Sequence, residues 1–192
     1  MDMQFGVMLR GLFDWDDDMT VRFEELMEQA RLIDKLGYDC ITKGSHFSTY
    51  PHQEMTQIPF LCRVMSEAPN VRLNAGIVLM ALHNPMEVAD YFATMDLMSG
   101  GRMIFGCALG YRDVEFKAFG VKKGTGVRRF EENLTAVRRL WTEEKVSMKG
   151  STFELDEARI SVPLQQDPHP PIWIGANADK AIQRAARMGD CW

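Results

Sequence analysis

The chain has 192 residues, 46% of them hydrophobic and 26% charged, a composition that excludes disordered, collagen-like and fibrous proteins. Its formal net charge is −5, and acidic and basic residues are mixed along the chain, which does not favour nucleic-acid binding. No apolar run reaches the roughly 18–20 residues of a membrane span, and the first residues lack the order of a signal peptide. We therefore expect a cytoplasmic protein that binds neither nucleic acid nor membranes.

The cysteines and histidines show neither disulfide-framework nor metal-ligand spacing. Because three of the four cysteines lie in or beside apolar runs, the pattern favours buried thiols over disulfides. No His-x-x-x-His pair is present, so no metal site is expected. The eight residues are Cys40, Cys62, Cys107, Cys191, His46, His52, His83 and His169.

Short apolar runs and helical patterns alternate along the first half of the chain. Residues 3–9 predict a strand, and apolar residues at steps of three and four over 23–36 predict a helix that Gly37 ends. Residues 38–42 and 71–82 predict the second and third strands. Asn84 and Pro85 are typical of a helix start, and the buried stripe of that helix continues to Met98.

The second half repeats the alternation with one longer interval. Residues 103–109 predict a fourth strand and 130–141 a helix, and residues 171–175 predict a fifth strand. Asn177 is the expected cap of a last helix ending at Gly189. Between them, residues 143–170 predict a small inserted β-hairpin and loop.

Strands without polar alternation are typical of parallel sheets covered by helices on both faces. Strand starts near residues 3, 38, 71 and 102 give the repeat length of βα units, as in an α/β barrel or a doubly wound sheet. No Gly-x-Gly-x-x-Gly follows the first strand, which disfavours a Rossmann domain.

Candidate site residues follow the carboxyl ends of strands, where parallel α/β proteins place their active sites. His46 follows the second strand directly. Gly106 and Gly110 lie at the end of the fourth strand. Glycines at such a position are typical of a backbone that a flat ligand or a neighbouring helix approaches closely. Asp113 and Glu115 come next, either as an acid/base pair or, as we expect, as a solvated loop paired with Arg112.

The turn after the fifth strand has the features of a phosphate site. Gly175 ends the strand, Asn177 is the expected cap, and the first amides of a helix are unpaired and attract anions. Lys180 could add positive charge. The alternative is an ordinary capped turn.

These residues together resemble the bacterial luciferase-like monooxygenases, which are flavin- or deazaflavin-dependent (β/α)8 barrels. The likeness covers almost the whole chain, and the stretch Asp-x-Met-Ser-x-Gly-Arg before the fourth strand is quite specific to the family. The matching segments are Phe5-Gly6, His46-Phe47, residues 75–79, His83-Asn84-Pro85, residues 96–102, Phe105-Gly106, Gly110, Asp113, Phe116, Phe119-Gly120, residues 171–175 and 185–190.

The resemblance implies an incomplete barrel, because a (β/α)8 fold typically needs ~250 residues. Five βα units and the start of a sixth strand at Cys191-Trp192 are expected, forming a single partial domain over 1–192. The chain is then the N-terminal portion of a longer protein and is expected to be inactive alone. The alternative is a naturally shortened flavin-binding relative.

The resemblance also assigns roles to particular residues. A non-prolyl cis peptide at or near Ala75-Gly76 would support the flavin ring, and Tyr111 would pack near it. Gly175, Ala176 and Asn177 would hold the flavin phosphate. His46 would be the catalytic residue, bonding near the reacting edge of the flavin.

Two positions depart from the luciferases themselves. Ser45 stands where luciferases carry the first of two histidines, and Leu109 stands where they carry a phosphate-binding arginine. Both departures argue against light emission and leave the choice between FMN and deazaflavin open.

The implied function is a flavin-dependent monooxygenase that uses reduced FMN and dioxygen to oxidise a small organic substrate. The alternatives are a hydride-transfer oxidoreductase using the deazaflavin coenzyme F-420, and a noncatalytic flavin-binding protein. The implied partners are a flavin reductase that supplies reduced FMN and, in the full-length protein, a second copy of the chain.

Overall fold

Parallel strands alternate with helices throughout the chain, which a computed structural model describes over residues 3–192. The elements in chain order are β1 (Gly6–Leu9), β2 (Phe13–Asp14), α1 (Met19–Lys35), β3 (Cys40–Lys43), β4 (His52–Gln53), α2 (Gln57–Glu67), β5 (Arg72–Leu79), α3 (Pro85–Ser99), β6 (Met103–Ala108), α4 (Asp113–Ala118), α5 (Gly126–Thr142), β7 (Val146–Lys149), β8 (Glu154–Ala158), β9 (Ile172–Ile174) and α6 (Asp179–Met188). Two short 3-10 helices, Met80–Leu82 and Lys123–Thr125, precede α3 and α5.

The central sheet has the strand order β1-β3-β5-β6-β9, and all four neighbouring pairs are parallel. This order follows the chain without reversal, as in a (β/α)8 barrel, so the predicted fold class is confirmed. The sheet is open within the described residues. A parallel bridge between Trp173 and Cys191 lies where the sequence predicts the start of a sixth strand.

Two helix starts follow the sequence rules directly. The Asp18 carboxylate accepts hydrogen bonds from the backbone N–H groups of Thr20 and Val21 and so caps α1. The Asn84 side chain does the same for Met86 at the start of α3, and Pro85 occupies the first helical position. At the other end of α3, Gly100 has φ +66°, the left-handed conformation that glycine adopts without steric cost.

The prediction that the strands are buried on both faces is correct for β6 and wrong for β1. Every residue of β6 is buried, whereas Met8 of β1 is 67% exposed. The physical reason is position in the sheet. β6 lies between two strands and beneath helices, while β1 is an edge strand whose inner face meets no opposite strand among the described residues.

The predicted hairpin before the last parallel strand is present as the antiparallel pair β7–β8. Glu132 of α5 holds its turn by accepting hydrogen bonds from the backbone N–H and the hydroxyl of Ser151. These bonds and the Arg128 guanidinium lower the pKa of Glu132 to about 2. The helices α2 and α4 and the two-residue strands β2 and β4 are not predicted from the sequence.

All four cysteines are free thiols, but their burial differs from the prediction. Cys40 and Cys107 are buried, Cys62 is half-buried and Cys191 is exposed. Burial raises the pKa of the Cys107 thiol. Among residues 3–192, no helix combines the length and the hydropathy needed to cross a bilayer.

Candidate active site

Loops that follow four parallel strands meet at the carboxyl edge of the sheet. Their closest approaches involve glycines. A Cβ atom at Gly44, after β3, would lie 3.8 Å from the Gly76 carbonyl oxygen of β5. A Cβ atom at Gly175, after β9, would lie 3.6 Å from the Ile77 side chain and 3.5 Å from Ala108. We call this edge the rim.

The backbone of β5 is irregular at the rim. The peptide bond Gly76–Ile77 is cis, one bond beyond the expected Ala75–Gly76, and the register with β6 shifts between Ala75 and Val78. A Cβ atom at Gly76 would lie 2.7 Å from the Thr42 side chain, so only glycine fits there. At this one position β5 presents only backbone, and the side chains of Thr42 and Asn74 fill the space that a side chain would take.

The two residues expected to support a flavin ring in this strand lie differently. Gly76 presents only backbone, whereas Ala75 is fully buried in the apolar core. The Ala75 carbonyl oxygen faces β6, where a Cβ at Gly106 would lie 2.5 Å from it. Gly106 is therefore required for the close approach of the two strands, as expected from the sequence.

His46 is anchored through one ring nitrogen. Its Nδ1 lies 3.0 Å from Oε1 of Glu115, and its side chain is 28% exposed. When Glu115 is ionised its oxygens only accept, so Nδ1 carries a hydrogen and Nε2 of the neutral ring is the acceptor. The contact therefore fixes the orientation of His46 and, when Glu115 is ionised, its tautomer.

Glu115 is the site residue that sequence reasoning placed wrongly. The expected solvated loop is the short helix α4, which turns Glu115 and Phe116 inward and buries Glu115 completely. The predicted pairing with Arg112 is correct at 3.4 Å. Oε1 of Glu115 also accepts from the Phe47 backbone N–H at 3.0 Å, and Oε2 is buried without a partner within the described residues.

Asp113, two residues earlier, has the opposite environment. It is largely exposed and pairs with Lys123 at 2.7 Å, and this pairing lowers the pKa of the Asp113 carboxyl. The alternative of an Asp113–Glu115 acid/base pair is therefore not supported. One carboxylate faces solvent and the other faces His46, because helical spacing directs the two side chains apart.

Arg112 and Tyr111 connect the loop after β6 to the loop after β3. The Arg112 guanidinium donates to the carbonyl oxygens of Phe47 and Ser48 at 2.9 and 3.1 Å. The Tyr111 ring contacts the His46 ring edge-on with centroids 6.0 Å apart and is 69% exposed. Tyr111 thus lies beside His46 and is accessible from solvent.

A buried ion pair beneath the loop after β3 was not predicted. Lys43, the last residue of β3, is completely buried and lies 2.7 Å from Glu54, which is also buried. Gln57 donates to the Lys43 carbonyl oxygen at 2.6 Å. These contacts hold both ends of the loop that carries His46. Lysine at a strand end gives no sequence signal of burial, because the residue is usually exposed.

The turn between β9 and α6 corrects one prediction. Asn177 is exposed and does not cap the helix, which begins at Asp179 with Ala178 at the capping position and no side-chain cap bond. The reason is that the backbone of Ala178 is still extended, so the helix begins later than expected. Among the hydrogen bonds of the described residues, none uses the N–H group of Ala176 or Asn177 as donor.

The predicted positive charge at this turn is also placed differently. Lys180 is exposed. The buried cation of α6 is Arg184, one turn further along, at 8% exposure.

An apolar cavity lies beside the loop that carries His46, which is not among its lining residues. It measures about 420 Å³, and its lining includes the side chains of Ser45, Phe47 and His83. Burial lowers the pKa of His83, and its ring contacts Phe47 and Phe119. Since His46 contacts Glu115 rather than this cavity, we place the candidate chemistry at the rim. Within residues 3–192, no three potential ligand side chains are grouped to hold a metal ion.

The rim geometry agrees with a family assignment from sequence comparison. The profile of the luciferase-like monooxygenases matches residues 3–192. The chain belongs to this family. The assignment establishes the luciferase-like fold and leaves the cofactor to be determined.

Three similar proteins illustrate the range of luciferase-like enzymes. The monooxygenase RslO1 of Streptomyces bottropensis superposes with a TM-score of 0.88 at 29% identity, over 96% of this chain and 57% of that one. The oxygenating constituent of 3,6-diketocamphane monooxygenase from Pseudomonas putida, solved with FMN, gives 0.85 at 15% identity, over 100% of this chain and 57% of that one, and shows the fold alone. The F420-dependent glucose-6-phosphate dehydrogenase of Amycolatopsis mediterranei is 28% identical over 86% of this chain and 51% of its own length.

The chain spans about half the length of the curated relatives it matches, between 41% and 54% for the first three.

Proposed function

We propose that the protein is a flavin-dependent monooxygenase that uses reduced FMN and dioxygen to oxidise a small organic substrate. The observation that carries this proposal is the rim itself. The backbone of β5 at Gly76, which carries no side chain, lies between the anchored His46 and the turn at Gly175. A flat ring needs such a surface, and a polar group at one edge and free amides at another suit a phosphorylated flavin.

Two further features fit a flavin at this place. The Asn74 side chain lies beneath Gly76, donates to Thr42 at 3.2 Å and has its buried Oδ1 unpaired among the described residues. A Cβ at Gly175 would project toward Ile77 and Ala108, so the glycine keeps this groove open. The groove gives space for a bound ring and ribityl chain, and the unpaired oxygen is a hydrogen-bond acceptor that they would use.

When bound, reduced FMN would supply the electrons that activate dioxygen, and the protein residues would bind, orient and shield it. His46, with Nδ1 directed to Glu115, would present Nε2 as a hydrogen-bond acceptor toward the substrate or cofactor. Glu115 would hold that tautomer throughout turnover. Gly76 would support the ring, Tyr111 would cover its open side, and Gly175, Ala176 and Asn177 would hold the phosphate. The N–H groups of Ala176 and Asn177 are the unused donors there, since that of Gly175 already donates to the Cys107 carbonyl oxygen.

A second candidate function is hydride transfer with the deazaflavin coenzyme F-420. The observation that favours it is the 28% identity to an F420-dependent glucose-6-phosphate dehydrogenase. Leu109, in place of the luciferase arginine, is compatible with either cofactor. In this case the same rim would bind the deazaflavin, and dioxygen would not be consumed.

We further propose that a separate flavin reductase supplies reduced FMN. The sequence has no Gly-x-Gly-x-x-Gly motif for binding a nicotinamide cofactor at its first βα turn. We also propose that the full-length protein is a homodimer.

The deciding experiment measures cofactor binding and oxygen use by the full-length protein. We expect tight binding of FMN, and label from ¹⁸O₂ in the product when a reductase supplies reduced FMN. Turnover with reduced F-420 and no oxygen uptake would establish the second candidate, and binding of neither cofactor would contradict both.

Gly175 provides a matched pair of variants for locating the cofactor. The Gly175→Leu side chain would fill the groove beside Ile77, so we expect a rise in the FMN dissociation constant of at least about tenfold. Gly175→Ala adds only a methyl group at ordinary contact distance and should change it little. Unchanged affinity in the leucine variant would place the cofactor elsewhere.

A further inference from the structure

The apolar cavity beside the loop of His46 is large enough to hold an organic molecule. Its volume of about 420 Å³ lies within the range of ~300–1,000 Å³ that is typical of small-molecule sites. Its lining comes from three parts of the chain: the loop after β3, the first turn of α2, and the segment from the end of β5 to the second turn of α3. Protein interiors leave few voids larger than a water molecule, so a space of this size indicates a binding site. We call it the loop cavity.

Most of the surface inside the loop cavity is apolar. Val78 and Val88 in its lining are 4% and 3% exposed, and the rings of Phe47, His83 and Phe119 contact one another with centroids 4.8–5.9 Å apart. A buried water molecule needs roughly two to four polar partners, and this lining offers few of them. An apolar molecule is therefore favoured over water in the cavity.

The imidazole of His83 is a polar group in this lining that the protein leaves unpaired. Among the hydrogen bonds of residues 3–192, none involves a ring nitrogen of His83, although its carbonyl oxygen accepts one from Asn133. Burial lowers the pKa of His83, and Glu87 acts in the opposite direction with a smaller effect. The ring is therefore neutral at pH 7, and one nitrogen can donate a hydrogen bond while the other accepts one.

Buried contacts with α5 hold the backbone of His83 in place. Asn133, which is fully buried, donates from Nδ2 to the carbonyl oxygens of Met80 and His83 at 3.1 and 2.9 Å. Arg129 donates to the Ala81 carbonyl oxygen at 2.7 Å. The segment that ends at His83 is thus fixed before a ligand arrives, which reduces the entropy cost of binding.

The charges around the loop cavity favour an uncharged ligand. Of the described residues that line it, none is lysine or arginine, and Glu87 is the one carboxylate. Glu87 lies in the first turn of α3 and is exposed, so it would repel an anion that enters the cavity. A cation would lose its hydration among apolar side chains, which is the effect that lowers the pKa of His83.

We propose that the loop cavity binds a small uncharged organic molecule, mainly hydrocarbon, with one oxygen atom that bonds to His83. This site is separate from the rim and goes beyond the proposed function. Ser45 and Phe47 line the cavity, and His46 between them contacts Glu115. A ligand in the cavity therefore packs against both chain neighbours of His46 and stabilises the loop that carries it.

The test uses three probes of similar shape and the full-length protein without flavin. Butylbenzene has no polar atom, 4-phenylbutan-1-ol adds a hydroxyl group, and 4-phenylbutanoate adds a carboxylate. Isothermal titration calorimetry gives the dissociation constant of each. We expect both uncharged probes to bind, and the carboxylate to bind at least about tenfold more weakly than the alcohol, because a buried charge without a partner is costly.

Two variants, each with a matched control, locate the bound probe. Ile58→Trp places a large side chain in the cavity, so we expect the affinity for both uncharged probes to fall at least about tenfold. Its control is Leu97→Trp, at an exposed position of α3 outside the lining. His83→Phe keeps a ring and removes the nitrogens, so it should weaken the alcohol about fivefold and leave butylbenzene within twofold. Its control is His52→Phe, and both controls should match wild type.

A spectroscopic measurement on wild type keeps the test decisive if Ile58→Trp does not fold. The ¹⁵N signal of the His83 imidazole is identified by its absence from the spectrum of His83→Phe. We expect the alcohol to shift this signal and to leave the signal of His52 unchanged, since only His83 lines the cavity.

Three results would overturn the inference. The first is that wild type binds neither uncharged probe, or that Ile58→Trp and His83→Phe bind both as wild type does. The second is a dimer that Ile58→Trp dissociates without changing probe affinity, which would assign this surface to a second copy of the chain. The third is equal weakening of both probes by His83→Phe, which would remove the oxygen-bearing ligand class. Because no flavin is present, these results are independent of the proposed function.

Discussion

The two edges of the parallel sheet differ in how completely their polar groups are paired. At the amino edge, buried Asp96 accepts three hydrogen bonds, from the backbone N–H groups of Gln165 and Gln166 and from the Gln166 side chain, at 2.7–3.0 Å. At the rim, Glu115 and Asn74 each keep a buried oxygen without a partner among the described residues. Native proteins rarely leave buried polar atoms unpaired. The unpaired oxygens at the rim are therefore available to accept hydrogen bonds from a ligand, whereas the Asp96 carboxylate at the amino edge already accepts its bonds from the protein.

Arg102 shows the same completeness at the amino edge. Its guanidinium donates to carbonyl oxygens of Met65, Ala68, Val71 and Ser99 at 2.6–3.3 Å. The stretch from Asp96 to Arg102, which identifies the family most specifically in the sequence, therefore joins α2, α3 and the chain before β9. A strong family signature thus marks the framework here, while the groups available for chemistry lie at the opposite edge.

The largest effect on this contrast should come from Asp96→Ala. The change removes a fully buried carboxylate that accepts three part-buried hydrogen bonds, and we expect it to lower the free energy of unfolding by about 3 kcal/mol or more. A urea melt followed by circular dichroism measures it. The control is the exposed Asp156→Ala, which should cost less than about 0.5 kcal/mol. A stable Asp96→Ala protein would mean that the amino edge does not hold the framework.

His46→Ala should have the reverse profile, a large loss of activity with little loss of stability. The side chain is 28% exposed and contributes one hydrogen bond, so we expect Tm within a few degrees of wild type. We expect kcat to fall about a hundredfold if the imidazole acts on the reacting groups. His52→Ala, a surface histidine with a 47% exposed side chain, serves as the control. Unfolding of His46→Ala, or full activity, would assign His46 to the framework.

The smallest effect is expected from Glu115→Gln, because it keeps the shape of the side chain and removes the charge. The loss of the ionised acceptor should weaken the preference for a hydrogen on Nδ1 of His46. We expect a change of tautomer population in the ¹⁵N NMR spectrum of the imidazole and a fall in kcat of about tenfold.

The neighbouring Asp113→Asn is the control for Glu115→Gln, because Asp113 is exposed and paired with Lys123. It should change neither the tautomer population nor kcat. An unaltered imidazole spectrum in Glu115→Gln would show that Glu115 supports only the fold of the loop.

The sequence by itself determined the features that depend on neighbouring residues. The apolar runs predicted five parallel strands at nearly the correct positions, and Asn84 and Pro85 predicted the start of α3. These predictions succeed because capping, glycine conformation and apolar periodicity are local properties of the chain. The same reasoning placed His46 and Gly175 at the carboxyl ends of strands, which all parallel sheets bring to one edge.

Only the tertiary structure decided which polar residues are buried and what they contact. Glu115 and Asp113 are both acidic and two residues apart, yet one faces His46 and the other faces solvent, because α4 turns one side toward the loop after β3. Lys43, Arg184 and the late start of α6 could not be predicted for the same reason. Their burial is set by residues distant in the chain, such as Glu54 and Glu131, and no local pattern encodes those partners.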